Sequence, residues 1–221
     1  MDTKGILKWV LRQENLEQNG GVIHGVGDTA SLVRTFVYVC LQHMQMGYMV
    51  QWGDRCLLSA RERMATTLVI VDDSLIDVWL SIIPTGCVCV MTDMSHRPAA
   101  QASPLCLLPF SVYQGALETV YSGVLPVPVF LSSVLWYRVV VHVSRASRVL
   151  KVILVEAQHR WVITEHTIST QKSLLAALLW LHNSEAHRHF HNVEKQQQSI
   201  KKFCYPPSVS IANALQPYQR V

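Results

Sequence analysis

Apolar residues in this chain come in short runs divided by turn-forming residues, and the spacing inside each run predicts a conformation. Residues 5 to 18 suit a helix that ends at Asn19-Gly20-Gly21, where glycine takes the left-handed backbone that closes a helix. From 31 to 52 the stretches SLVRTFVYVCL and GYMVQW are rich in β-branched and aromatic side chains, which predicts two strands joined around residues 44 to 47. Ser59 followed three positions later by Glu62 is a capping box, so a helix is expected over 59–68. Beyond it DVWLSII, CVCVM, LETVYSGV, VPVFLSSV, WYRVVVHVS, RVLKVILVE and RWVITEH follow one another with Pro, Gly or polar breaks. That rhythm predicts mostly antiparallel sheet through the middle of the chain, with residues 93 to 105 as its most loop-like stretch. From residue 168 the pattern turns helical: Leu174, Leu178 and Leu181, then Phe190, Val193, Ile200 and Phe203, line a segment free of Gly and Pro that reaches 203. Pro206 and Pro207 stop it, and a loose tail is expected over 204–221. The fold class read from these elements is α+β, in a single domain over 1–203.

Composition sharpens this picture. With 221 residues, 50% hydrophobic and 15% charged, the chain can bury a sizeable core and leaves little room for disorder. The mean hydropathy is positive, at +0.21. Even so, Arg, Asp, Glu, His or Pro interrupts every apolar run before the roughly 18 residues that a membrane-spanning helix needs. The N-terminal residues lack the apolar stretch and small-residue cleavage site of a secretory signal, so the protein is expected to stay inside the cell, with its six cysteines as thiols or metal ligands. A net charge of +4 carried by scattered Lys and Arg permits weak nucleic-acid contact without predicting it, and nucleic acid is not expected as a direct ligand.

Candidate chemistry is sparse. Cys87 and Cys89, with His96 and Cys106 further on, fit a zinc site, and they fit equally the inward face of a strand, because side chains at i and i+2 of a strand point the same way. His187 and His191 lie one turn apart in a helical segment beside His182 and His189, where a solvated polar face competes with a metal site. Asp72 and Asp73 follow an apolar strand, as magnesium-holding or acid–base carboxylates do, but no phosphate-cradling glycine loop accompanies them. GVGDTA at 25 to 30 lacks the third glycine of a dinucleotide fingerprint, and no Gly-x-Ser-x-Gly elbow occurs. The expectation is a protein that is not an enzyme and acts by presenting surfaces to partners.

Four stretches carry a family resemblance. VQWGDRCLLSARERMATTLVIV, with Trp52, Leu57, Leu58, Ser59 and Glu62, resembles a segment of the adenovirus early-region-four 34-kilodalton protein family. CVC at 87 to 89, VPVFLSSVLWYRVVVHV at 127 to 143 and EKQQQSIKKF at 194 to 203 are similar to later segments of that family, in the same order. The resemblance implies a viral early regulatory adaptor of the host nucleus, with possible cytoplasmic shuttling. Such an adaptor joins a second viral early protein, recruits host Elongin B and C and a cullin, directs degradation of host factors, and favours late viral mRNA export. It also implies zinc on Cys87, Cys89, His96 and Cys106, and partner binding by Leu174, Leu178, Leu181, Arg188, Lys195, Lys201 and Lys202. Phe36 and Leu178 stand where the Elongin-binding box has its Cys. The alternatives are a structural viral matrix or core protein, and a metal-dependent hydrolase centred on Asp72, Asp73 and the histidines.

Overall fold

The structure is a computed structural model, and it describes residues 3–15, 20–25, 28–45, 52, 60–93, 103–121, 131, 133–143, 155–165 and 204–205. In chain order the elements are α1 (Thr3–Asn15), β1 (Gly20–His24), α2 (Thr29–Gln45), β2 (Glu62–Val71), a short 3-10 turn (Asp73–Leu75), α3 (Ile76–Ile82), β3 (Val88–Val90), β4 (Leu105–Pro109), α4 (Phe110–Tyr121), β5 (Val134–His142), β6 (Glu156–Thr164) and β7 (Cys204–Tyr205). The strands form one sheet in the order β3-β4-β2-β5-β6-β1-β7. Every pairing in it is parallel.

The architecture is therefore α/β, and the expected antiparallel α+β sheet is not what forms. The reason is visible strand by strand. β4 and β5 are buried along their whole lengths, as are the last six residues of β2 and of β6. Strands covered on both faces read as continuous apolar runs, which is the mark of a parallel sheet with helical crossovers; an antiparallel sheet with one wet face alternates.

The expected helix over 59–68 is also absent, since Glu62 opens β2 and the β-branched run that follows enters the sheet centre. Three segments read as strands are helices. Residues 31–45 lie in α2, DVWLSII lies in the 3-10 turn's successor α3 with its last residue just beyond, and LETVY ends α4. In α2 the β-rich composition gives way to spacing: Leu32, Phe36 and Cys40, with Val33 and Val37 beside them, recur every four residues and are all buried.

α1, α2 and α3 cover one face of the sheet. Ile6 and Val10 of α1, Phe36 of α2, and Trp79 of α3 share a core with Val69, Leu107, Val140 and Trp161. The Trp161 ring meets Trp9 and Phe36 edge-on, each at 5.5 Å between centroids. α4 packs on β4 and β2. Its crossover from β4 to β5 runs the opposite way along the sheet from that of α2, and right-handed crossovers then place it on the other face.

Gly20 shows how closely β1 fits. Its φ is +113°, and a Cβ there would lie 1.7 Å from the carbonyl oxygen of Arg160 on β6. The expected helix-closing role of this glycine is corrected: α1 ends at Asn15, and Gly20 takes its positive φ as the first residue of β1.

Among the described residues, one ion pair lies inside this core. The Arg138 guanidinium on β5 donates through Nε and Nη2 to Glu14 at 2.6 and 2.5 Å, and through Nη1 to the Thr67 hydroxyl at 2.9 Å. Trp161 Nε1 donates to the same carboxylate at 2.9 Å. A bidentate, charge-assisted pair of this kind ties α1 to three neighbouring strands.

Candidate functional site

In an open parallel sheet, ligands bind beyond the carboxyl ends of the strands, where successive connections leave towards opposite faces. After β1 and β2 the chain moves one way along the sheet, and after β5 and β6 it moves the other. The divergence falls between β2 and β5 and between β6 and β1. The described residues at that edge include Gly25, Asp28 and Thr29 after β1, Asp72 and Asp73 after β2, His142 and Val143 at the end of β5, and Thr164 and Glu165 at the end of β6.

Asp28 caps α2. Its carbonyl accepts the Leu32 N–H at 3.2 Å, while its carboxylate accepts the Ser31 N–H at 3.1 Å and the Ser31 hydroxyl at 2.5 Å. Those Ser31 hydrogen bonds, hydroxyl first, hold the Asp28 carboxyl below its usual range, and Arg34 adds to the effect. A helix start attracts anions because its first N–H groups lack partners inside the helix. Here the side chain of the cap residue supplies the anion. Next to it the Thr29 hydroxyl donates to Glu165 at 2.5 Å.

His142 is fully buried, and its Nδ1 lies 3.1 Å from Trp79 Nε1. Burial holds this imidazole down to about 4, against the pull of Glu165 and Asp72, so it is neutral near pH 7. An indole N–H only donates, so Nδ1 accepts and the proton sits on Nε2. That nitrogen has no hydrogen-bond partner among the described residues. Metal ligation at Nε2 needs the other tautomer, which sets an N–H against the Trp79 N–H.

The sequence-derived candidates are spread over the molecule. Asp73 is committed to α4, whose Ser111 donates to it through N–H, at 3.1 Å, and hydroxyl. The Asp72 N–H reaches back to the His142 carbonyl at 3.0 Å. Cys89 and Cys106 are register partners on β3 and β4, and the Cys106 thiol is pushed up to about 12 by burial first and by Cys89 second. Cys87 packs instead against the core under α2 and α3. Among the described residues no three His, Cys, Asp or Glu side chains converge as metal ligands. His96 lies outside the described residues, as do His182, His187, His189, His191, Leu174, Leu178, Leu181, Arg188, Lys195, Lys201 and Lys202. Within them, no helix is long and apolar enough to cross a membrane.

A doubly covered parallel sheet with a strand, loop and capped helix at its carboxyl edge is a doubly wound α/β fold. The sequence matches no family model and no curated protein. Among solved structures, the SWI2/SNF2 ATPase core domain of Sulfolobus solfataricus is similar, with a TM-score of 0.63 and 13% identity. The match covers 96% of this chain and 44% of that one, so the chain spans less than half the length of its neighbour. At that identity the likeness is one of fold.

An ATPase of this fold needs a lysine and a Ser or Thr at the helix start, for phosphates and magnesium, and a strand-end aspartate for the same metal. Gly27-Asp28-Thr29 has an acid where Gly-Lys-Thr has its base. At the end of β5, two strands from β1, stands His142 in the tautomer that cannot ligate. Among the described residues, the start of α2 and the end of β5 do not supply the lysine and the metal ligand that a magnesium nucleoside triphosphate needs. The signal missed in the sequence was positional: GVGDTA follows a strand and opens a helix, and comparison with Gly-Lys-Thr, rather than with a dinucleotide fingerprint, shows Asp28 as the departure.

Proposed function

We propose that this chain is an ATPase-like α/β module that neither hydrolyses nor tightly binds nucleoside triphosphates and works by presenting its surfaces to partners. The observation that carries this reading is the Asp28 carboxylate on Ser31, which fills the anion-attracting start of α2 from within. A triphosphate would have to displace that carboxylate and would meet an acid in place of a lysine at the helix start. The neutral His142 and the Thr29–Glu165 hydrogen bond support the same reading from the metal side. The likeness to an ATPase core is reconciled with the expectation of a non-enzyme if the fold is kept and its phosphate chemistry is not.

Equilibrium binding of a fluorescent ATP analogue with magnesium tests this. The wild-type chain should bind no better than millimolar, and Asp28→Lys, which removes the anion and adds the missing cation, should bind at least tenfold more tightly. Micromolar wild-type affinity, weakened rather than improved by Asp28→Lys, would contradict the proposal.

A further inference from the structure

Four of the 19 Lys and Arg residues stand exposed on two packed helices, α1 and α2. Lys4, Lys8 and Arg12 stand one turn apart on α1, and all three are exposed. At about 1.5 Å of rise per residue, the stripe is roughly 12 Å long with a charge every 6 Å or so. On the adjoining α2, Arg34 and Tyr38 are likewise one turn apart and exposed, Tyr38 at 49%. The Gln42 amide, one turn further, donates to the Tyr38 hydroxyl at 2.5 Å and steadies the ring.

Among the described residues, acids are scarce on these two helices. The one carboxylate of α1 is Glu14, buried and matched by Arg138, and α2 contains none. Among the described residues, the acids next to these helices in sequence or packing are Asp28, ahead of α2, and Asp77, exposed on α3. Four cations and an open aromatic ring therefore share the outer side of two packed helices.

We propose that the α1–α2 face binds single-stranded nucleic acid, with Lys4, Lys8, Arg12 and Arg34 on backbone phosphates and Tyr38 stacked under a base. A row of cations follows a phosphate backbone, and an exposed aromatic supplies the base platform that single strands use. A duplex keeps its bases stacked on one another and leaves Tyr38 without a partner. An acidic polypeptide satisfies the charges, but only one that also carries an aromatic side chain at the matching position offers a ring to Tyr38, whereas every base of a single strand has one. Lys4, Lys8, Arg12 and Tyr38 take no part in the nucleotide reading, so the proposal stands whether or not that reading does.

Fluorescence anisotropy of the full chain with a labelled single strand of about 12 nucleotides, across a salt series, tests it. Binding should weaken with salt, and the triple variant Lys4→Gln, Lys8→Gln, Arg12→Gln should lower the slope of log affinity against log salt by about 2. Tyr38→Ala should weaken binding about tenfold at every salt concentration, whereas Tyr38→Phe retains it. Absence of salt-sensitive binding, unchanged affinity in the triple variant, or equal binding of Tyr38→Ala would overturn the proposal. Poly-glutamate competing as well as the single strand would reassign the face to an acidic protein partner, and equal affinity for duplex would remove Tyr38 from the account.

Discussion

Glu14 and Asp28 are carboxylates on neighbouring helices of one face, and their surroundings are opposite. Burial on its own raises the Glu14 carboxyl, yet Arg138 outweighs it, with His159 and Trp161 helping, and holds the group down to about 2. Asp28 has no buried cation; it sits in water and is held by the hydroxyl and N–H of Ser31. The inner acid is matched so completely that it serves only to join helix to sheet. The outer acid is matched by a helix end, and it thereby occupies the place where a ligand anion would go. A charge inside this protein builds the fold, and a charge at its edge decides what the fold can bind.

The largest effect should come from breaking the inner pair. Arg138→Met leaves Glu14 buried and unmatched, and should lower unfolding free energy in urea by about 3–5 kcal/mol, while Arg138→Met with Glu14→Leu should recover most of that loss. If the double variant is as unstable as the single, the pair does more than neutralise itself.

Acid titration separates two groups. The folded His142 has its pKa at about 4 against 6.5 unfolded, so the unfolded chain binds the extra proton between those values. Stability is therefore full above about pH 6.5 and is lost as pH falls towards 4. Glu14 follows lower down: its folded pKa near 2 lies below the 4.5 of an unfolded carboxyl, so its contribution is present above 4.5 and lost as pH falls through 2. The double variant should keep the first loss and lack the second, read as urea midpoints from pH 7 to 2.

Smaller effects belong to the surface. Asp28→Ala removes a cap and should lower the midpoint of thermal unfolding, with Asp28→Asn close to wild type. The Arg61–Glu156 pair, at 3.1 Å with both side chains more than a third exposed, should contribute less than about 0.5 kcal/mol in a double-mutant cycle.

Local structure was legible where propensity and packing agree. The α1 helix and the strands around residues 88–90, 134–142 and 156–164 follow from their residues. α2 and α3 did not, because Thr35, Phe36, Val37, Tyr38 and Val39 have strand-like side chains and only their four-residue recurrence with Leu32 and Cys40 marks a helix. Strand direction was legible in a feature read too lightly: LVIV and LCLLP do not alternate, so both of their faces are covered. The candidate edge was half visible. Asp28 and Thr29 lie in a recognisable strand–loop–helix pattern, but His142 meets Trp79 across 63 residues, and no local spacing reveals that contact.

The central claim is tested most directly by phosphate release from magnesium ATP, followed with the purified full chain and with the chain plus single-stranded nucleic acid. The account predicts release at the rate of protein-free solution in both cases. Release above that rate, lost in Thr29→Ala and retained in Asp28→Ala, would contradict it.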